Sequence, residues 1–168
     1  MHNPDIKMSS HLLQGLCLER SIKHYSNFHQ ILLVGEGDFS FSLALANAFG
    51  SAENMVTTSL DSKDKVLQLY KSAHETLSNL EKLGANVLFG VDTTTMEKHH
   101  IIRKMRFHRI FYNFPHASFY GRESAKTVIK KHRYLLKMFF VNVRTILSVD
   151  GEIHVTHKES DLYKNGSW

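Results

Sequence analysis

The chain has 168 residues, 42% of them hydrophobic and 22% charged, with a formal charge of +5 and an isoelectric point near 9.3. That balance excludes intrinsic disorder, provides for one domain with a substantial core and leaves little room for two. No apolar run is long enough for a membrane span, MHNPDIKMSS lacks a signal-peptide core, and Cys17 is the single cysteine, so a soluble intracellular protein without disulfide, metal or membrane contact is expected.

Residues 1–29 are polar and weakly periodic and are expected to form a loosely attached arm, followed by a domain over 30–160 and an irregular tail over 161–168. From Ile31 onward short β-rich runs alternate with longer stretches of helical periodicity, the pattern of parallel βαβ units. The expected strands are 31–34, 54–60, 85–91, 109–114 and 151–157, and the expected helices are about 40–49, 62–83, 95–105 and 122–147. Gly50, Gly84 and Gly151 fall where helices or their exits should end. ILLV and RIFYNF are nearly continuous apolar runs, so those strands should be central and covered on both faces.

The first strand runs into Gly35-Glu36-Gly37-Asp38-Phe39-Ser40 and then a helix, capped by Ser40 or Ser42. Glycines in such a turn let a ligand approach main-chain N–H groups at the positive end of the helix. Ser40 stands where a dinucleotide fingerprint needs a third glycine, and the lysine of a P-loop is missing, which demotes both nucleotide classes. Asp61, 24 residues after Gly37, closes the second strand. An acid there either accepts hydrogen bonds from both hydroxyls of a ribose or caps the helix that follows.

The blocks HYSNFHQILLVGEGDFSFS, TSLDS, GVDTT, FHRIFYNFPHAS and GEIHVTHK together resemble the 25S rRNA uridine-N3 methyltransferase-like family, over about Ile22 to Lys158. The resemblance implies an α/β fold, the Rossmann-like three-layer sandwich of class I S-adenosylmethionine (SAM) methyltransferases with a mostly parallel sheet. It also implies SAM as cofactor, N3 of a uridine in large-subunit rRNA as target, and a nucleolar or cytoplasmic setting. Gly35, Glu36, Gly37, Asp38 and Phe39 would then surround the methionine part of SAM, Asp61 would hold the ribose, and Val91 with Asp92 would lie by the adenine.

Asn113-Phe114-Pro115-His116 loosely resembles the Asn/Asp-Pro-Pro-aromatic motif with which base methyltransferases hold the target nitrogen. Asn113 offers a donor and an acceptor to a base edge, Pro115 fixes the loop, and Phe114 or Phe119 could stack on an extruded base. Phe114 reads equally well as core, and Pro115 as a strand terminator. The N3 proton must leave before or during attack, so His116 is the candidate base, with His157 and Lys158 as alternatives or RNA contacts.

In the last helix Lys126, Lys130, Arg133, Lys137 and Arg144 fall within about 60° of one another, either a solvated face or an RNA-backbone track. Lys98, Arg103, Lys104, Arg106 and Arg109, with His99, His100 and His108, form a second basic cluster, expected at the rim opposite the ligand. The side chains of His99 and His100 should point apart, a poor metal geometry. Two departures from the family pattern stand out: Leu33 replaces the acid often found two residues before the first glycine, and ESDLYKNGSW takes the place of a further helix and final strands. A C-terminally truncated sheet of about five strands is therefore expected, with a non-catalytic SAM-binding or protein-interaction relative as the alternative function.

Overall fold

The four residues of ILLV are buried on both sides, as a strand must be when helices cover each face of its sheet. The computed structural model describes residues 18–117 and 125–157. A hairpin of β1 (Ser21–Ile22) and β2 (Tyr25–Ser26) leads to β3 (Ile31–Val34), α1 (Ser40–Phe49), β4 (Met55–Thr58), α2 (Lys63–Leu69), α3 (Ala73–Lys82) and β5 (Asn86–Leu88). Then come β6 (Phe107–Asn113), α4 (Ala125–Ile146) and β7 (Leu147–Thr156). The main sheet is parallel throughout, with spatial order β5-β4-β3-β6-β7. This is the expected α/β, Rossmann-like architecture of five parallel strands between two helical layers.

Alternation along the strands divides the core in two. Ile31, Leu33 and Phe111 face α1 and α3, where Phe49, Leu77 and Leu80 close the layer. Leu32, Val34, Ile110 and Tyr112 face α4 through Phe139, Val143 and Ile146. The expected cationic stripe of α4 points away from this layer, with Lys126, Lys130, Arg133, Lys137 and Arg144 exposed.

Several elements differ from the sequence reading. The helix expected over 62–83 breaks at Tyr70, whose extended backbone (φ −123°, ψ 109°) ends α2 and lets α3 turn Ala73, Leu77 and Leu80 inward. The segment 95–105 is not an α-helix but two 3-10 turns, Met96–Lys98 and Ile102–Lys104. Met96 and Ile102 are both buried, and six residues of α-helix would put them about 120° apart around the axis. Asn142 of α4 holds this irregular segment by accepting from the Glu97 N–H and donating to the Thr94 carbonyl.

Gly151 does not end a helix. It lies inside β7, where the pairing slips from Phe107–Leu147 to Arg109–Glu152, and a Cβ there would meet Leu147 Cδ1 at 2.7 Å and the Phe107 carbonyl at 2.9 Å. Gly50 does follow α1, at φ 73°. The strands shift accordingly, β4 and β5 being shorter than expected and β6 and β7 starting earlier.

Residues 18–29 are not loosely attached. Ser26 and Asn27 are buried, and Tyr25 packs edge-on against Phe111 at 5.1 Å. Arg109 is buried as well and is not part of a surface cluster. Its Nη2 donates to the His24 carbonyl at 3.3 Å and lies 3.5 Å from Glu152 Oε1, tying the hairpin to β6 and β7. His108 is likewise structural, its Nδ1 accepting from the Gln30 N–H at 3.0 Å. The rings of His99 and His100 do not point apart, because the chain there is not helical; their centroids are 4.6 Å from each other.

Candidate functional site

Strand order reverses at β3, since β4 and β5 are laid down on one side of it and β6 and β7 on the other. Open α/β sheets bind ligands outside the carboxyl ends of their strands at such a switch point. The loops leaving β3, β4, β5, β6 and β7 carry Gly35–Phe39, Asp61, Val91–Asp92, Asn113–His116 and His157 respectively.

These loops are stitched to one another. The Glu36 N–H donates to the Thr58 carbonyl at 2.8 Å, and Gly35 N–H to Thr58 Oγ1 at 3.3 Å. Val91 N–H reaches the Ser59 carbonyl at 2.9 Å, Gly90 N–H the Asp61 carbonyl at 3.2 Å, and Phe114 N–H the Thr156 carbonyl at 2.8 Å. The rim is thus held largely by backbone bonds.

The glycine loop turns through Gly35 at φ 68°, with the Tyr112 ring so close behind that a Cβ would lie 2.9 Å from it. Phe39 is the residue before α1 and adopts φ 61° without a capping side chain. Neither Ser40 nor Ser42 caps α1. Asp38 Oδ1 accepts from the Ser40 N–H at 3.0 Å, and Glu36 Oε2 accepts from the Ser42 N–H at 3.3 Å and its hydroxyl at 3.1 Å. Burial pushes the Glu36 carboxyl above its ordinary range, and the charge of Asp38 adds to this. Among the described residues, the N–H groups of Gly37, Asp38 and Phe39 have no protein acceptor.

Two of the expected cofactor residues present backbone rather than side chain, since Phe39 is fully buried against Phe89 and Val91 belongs to the α4-side core. Leu33, which stands where the family pattern often has an acid, is buried in the α1-side core. Asp61 is partly exposed and paired with Lys65, while the N-cap of α2 is Ser62. Asp92 is exposed and its Oδ1 accepts from the Thr94 N–H and hydroxyl, both at 2.8 Å.

On the β6 side a cavity of about 520 Å³ is lined by Tyr25, Phe41, Phe111, Asn113, His154 and Thr156, among others. It brings Asn113 next to Phe41 in the first turn of α1, but not to Asp61, Asp92 or the glycine loop itself. Tyr25, Phe111 and His154 were missed in the sequence. For Phe111 and His154 the only signal was two-residue alternation with Asn113 and Thr156, which puts them on one face of β6 and β7, and Tyr25 on β2 gave none.

Phe114 follows β6 at φ 51° and is 60% exposed, a strained backbone with an aromatic ring held out to solvent, while Pro115 is buried. Beyond the rim His132 of α4 meets His157, Nε2 to Nε2, at 2.8 Å. Burial, followed by the nearby His157 and His116, pushes the His132 imidazole below its ordinary range. Phe119 and Lys158 lie outside the described residues.

A family model described as rRNA (uridine-N3-)-methyltransferase BTM5-like matches residues 32–168. The chain belongs to this BMT5-like family of rRNA methyltransferases. It is 54% identical over 137 residues to Heavy metal-associated isoprenylated plant protein 41 of Arabidopsis thaliana, which covers 82% of this chain and 27% of that protein. It is 45% identical over 152 residues to Uncharacterized protein At4g26485 of Arabidopsis thaliana, with 89% of this chain and 72% of the relative covered. To the human Ferredoxin-fold anticodon-binding domain-containing protein 1 it is 34% identical over 126 residues, 75% of this chain and 19% of the relative. The chain thus spans only about a quarter and a fifth of the first and last of these relatives. No solved structure matches the chain significantly.

Proposed function

We propose that the chain binds SAM and methylates N3 of a uridine in large-subunit rRNA, in a nucleolar or cytoplasmic setting. One observation carries this reading: in a chain of this family, the glycine loop, Asp61 and Asn113-Phe114-Pro115-His116 all leave the carboxyl ends of strands flanking the switch point.

The donor set fits the cofactor. The unpartnered N–H groups of Gly37, Asp38 and Phe39 suit a carboxylate at a helix N-terminus, and Asp61 Oδ atoms suit two ribose hydroxyls once Lys65 yields them. Asp92 and the Val91 backbone would flank the adenine. When bound, SAM supplies an electrophilic methyl group on sulfur.

Everything else falls to the protein. Asn113 reads a base edge through its amide, Phe114 stacks on the extruded base, and buried Pro115 holds the loop between them. His116 takes the N3 proton at an imidazole nitrogen. Lys126 and Lys130 on α4 contact the RNA backbone, and Phe119 and Lys158 are further candidates for RNA contact.

The test is incubation of purified protein with methyl-labelled SAM and unmodified large-subunit rRNA, followed by nucleoside mass spectrometry. The expected product is 3-methyluridine, lost in Asn113→Ala. Binding of SAM without label in any nucleoside would replace this reading by the non-catalytic one, and label in another base would reject the uridine assignment.

A further inference from the structure

We propose that His24, Glu152 and His154 form a binding site for a divalent transition-metal ion of the zinc type, which fastens the amino-terminal hairpin to the edge of the sheet. Glu152 and His154 are two residues apart on β7 and so share its α1-side face. The two-residue turn of the hairpin, in which Lys23 takes φ 56°, carries His24 onto the same face. The three side chains each offer one ligand atom, all within 4.8 Å of one another.

His154 Nε2 and Glu152 Oε2 are separated by 3.1 Å. That is near the edge of a coordination tetrahedron with bonds of about 2.0 to 2.1 Å, which measures about 3.3 Å. The exposed His24 side chain supplies the third ligand atom, within 4.8 Å of the other two. Two imidazoles and one carboxylate are a borderline ligand set that suits zinc, cobalt, nickel or copper better than calcium or magnesium, with water as the fourth ligand.

The surroundings are arranged as those of a ligand set usually are. The Tyr25 hydroxyl is hydrogen-bonded to His154 Nδ1 at 3.3 Å, which fixes the ring and leaves Nε2 to face Glu152. Arg109 spans the His24 carbonyl and Glu152 Oε1, so one guanidinium holds both the turn and the carboxylate in place. Its positive charge opposes the ion and keeps affinity moderate. Without a metal, His154 Nε2 and Glu152 Oε2 are hydrogen-bonded to each other.

The experiment uses the full chain, freed of metal with a chelator and titrated with zinc chloride by calorimetry, with thermal melts at each ratio. The expected result is one tightest equivalent per chain and a rise in melting temperature on saturation. His24→Asn, Glu152→Gln and His154→Asn should each weaken that equivalent at least about tenfold and abolish the thermal shift, and Tyr25→Phe should weaken it about tenfold. His132→Asn/His157→Asn should leave it unchanged. The proposal is overturned if no zinc binds, if folded Glu152→Gln and His24→Asn bind as tightly as the parent, or if the loss appears in the His132/His157 variant instead.

Discussion

Glu36 sits in the turn between β3 and α1 and is buried. Its carboxylate turns inward to the Ser42 N–H and hydroxyl, replacing the serine cap that α1 lacks. Burial raises its pKa above the ordinary glutamate value of 4.5, so between that value and the raised one the folded state binds more protons than the unfolded state. Stability contributed by this group is therefore lost as pH rises through that window. Glu36→Gln keeps an acceptor for Ser42 and removes the titration. Melting curves of the two proteins should diverge in favour of the variant as pH rises from 4.5 to 8, and curves that stay parallel would show that Glu36 does not titrate there. Phe114 gives a second test at this scale. Its φ of 51° strains a non-glycine backbone, and its ring is largely exposed. Phe114→Gly should leave stability unchanged or raise it by up to about 1 kcal/mol in denaturant melts, while rRNA methylation falls at least about tenfold. A marked loss of stability would mean that the ring serves packing rather than the target base.

At the scale of elements, the turn between β3 and α1 depends on Gly35 both for its left-handed backbone and for the close approach of Tyr112. Gly35→Ala must displace a ring that is itself buried in the α4-side core, and should lower stability by about 2 kcal/mol or more in urea melts. A smaller cost would mean that the loop relaxes freely. This turn was legible in the sequence because a strand, a glycine pair and an amphipathic run are all local signals. So was the alternation of strands and helices that orders the sheet. The elements that escaped notice are those made by distant partners. The hairpin of residues 21–26 looked like a loose arm because its anchors, Phe111, Arg109 and His154, are more than 80 residues away. The segment 95–105 has helical spacing by composition, yet Asn142 pins it from another element into 3-10 turns. Arg109 looked like one more surface cation for the same reason: nothing near it in the chain reveals the carbonyl and carboxylate that hold it inside.

Across the whole molecule, the excess positive charge is not spread evenly over the two ends of the sheet. Lys98, Arg103, Lys104 and Arg106 precede β6 and lie at the amino ends of the strands, whereas α4 begins beyond their carboxyl ends and runs back down to β7. The contact between His132 and His157 fixes the level of the rim on α4, so Lys126 and Lys130 stand above it and Arg144 far below. An RNA whose target base enters beside Asn113 must therefore lay its backbone against the first half of α4, out of reach of the opposite cluster. Each phosphate neutralised contributes about 0.7 to 0.9 to the slope of log affinity against log salt. Lys126→Ala/Lys130→Ala should weaken rRNA-fragment binding and flatten that slope by about 1.4 to 1.8 in salt-series binding assays. Lys98→Ala/Lys104→Ala should change it little. Equal effects from the two pairs would show that the RNA does not approach over the carboxyl ends of the strands, and would remove the candidate target site from its path.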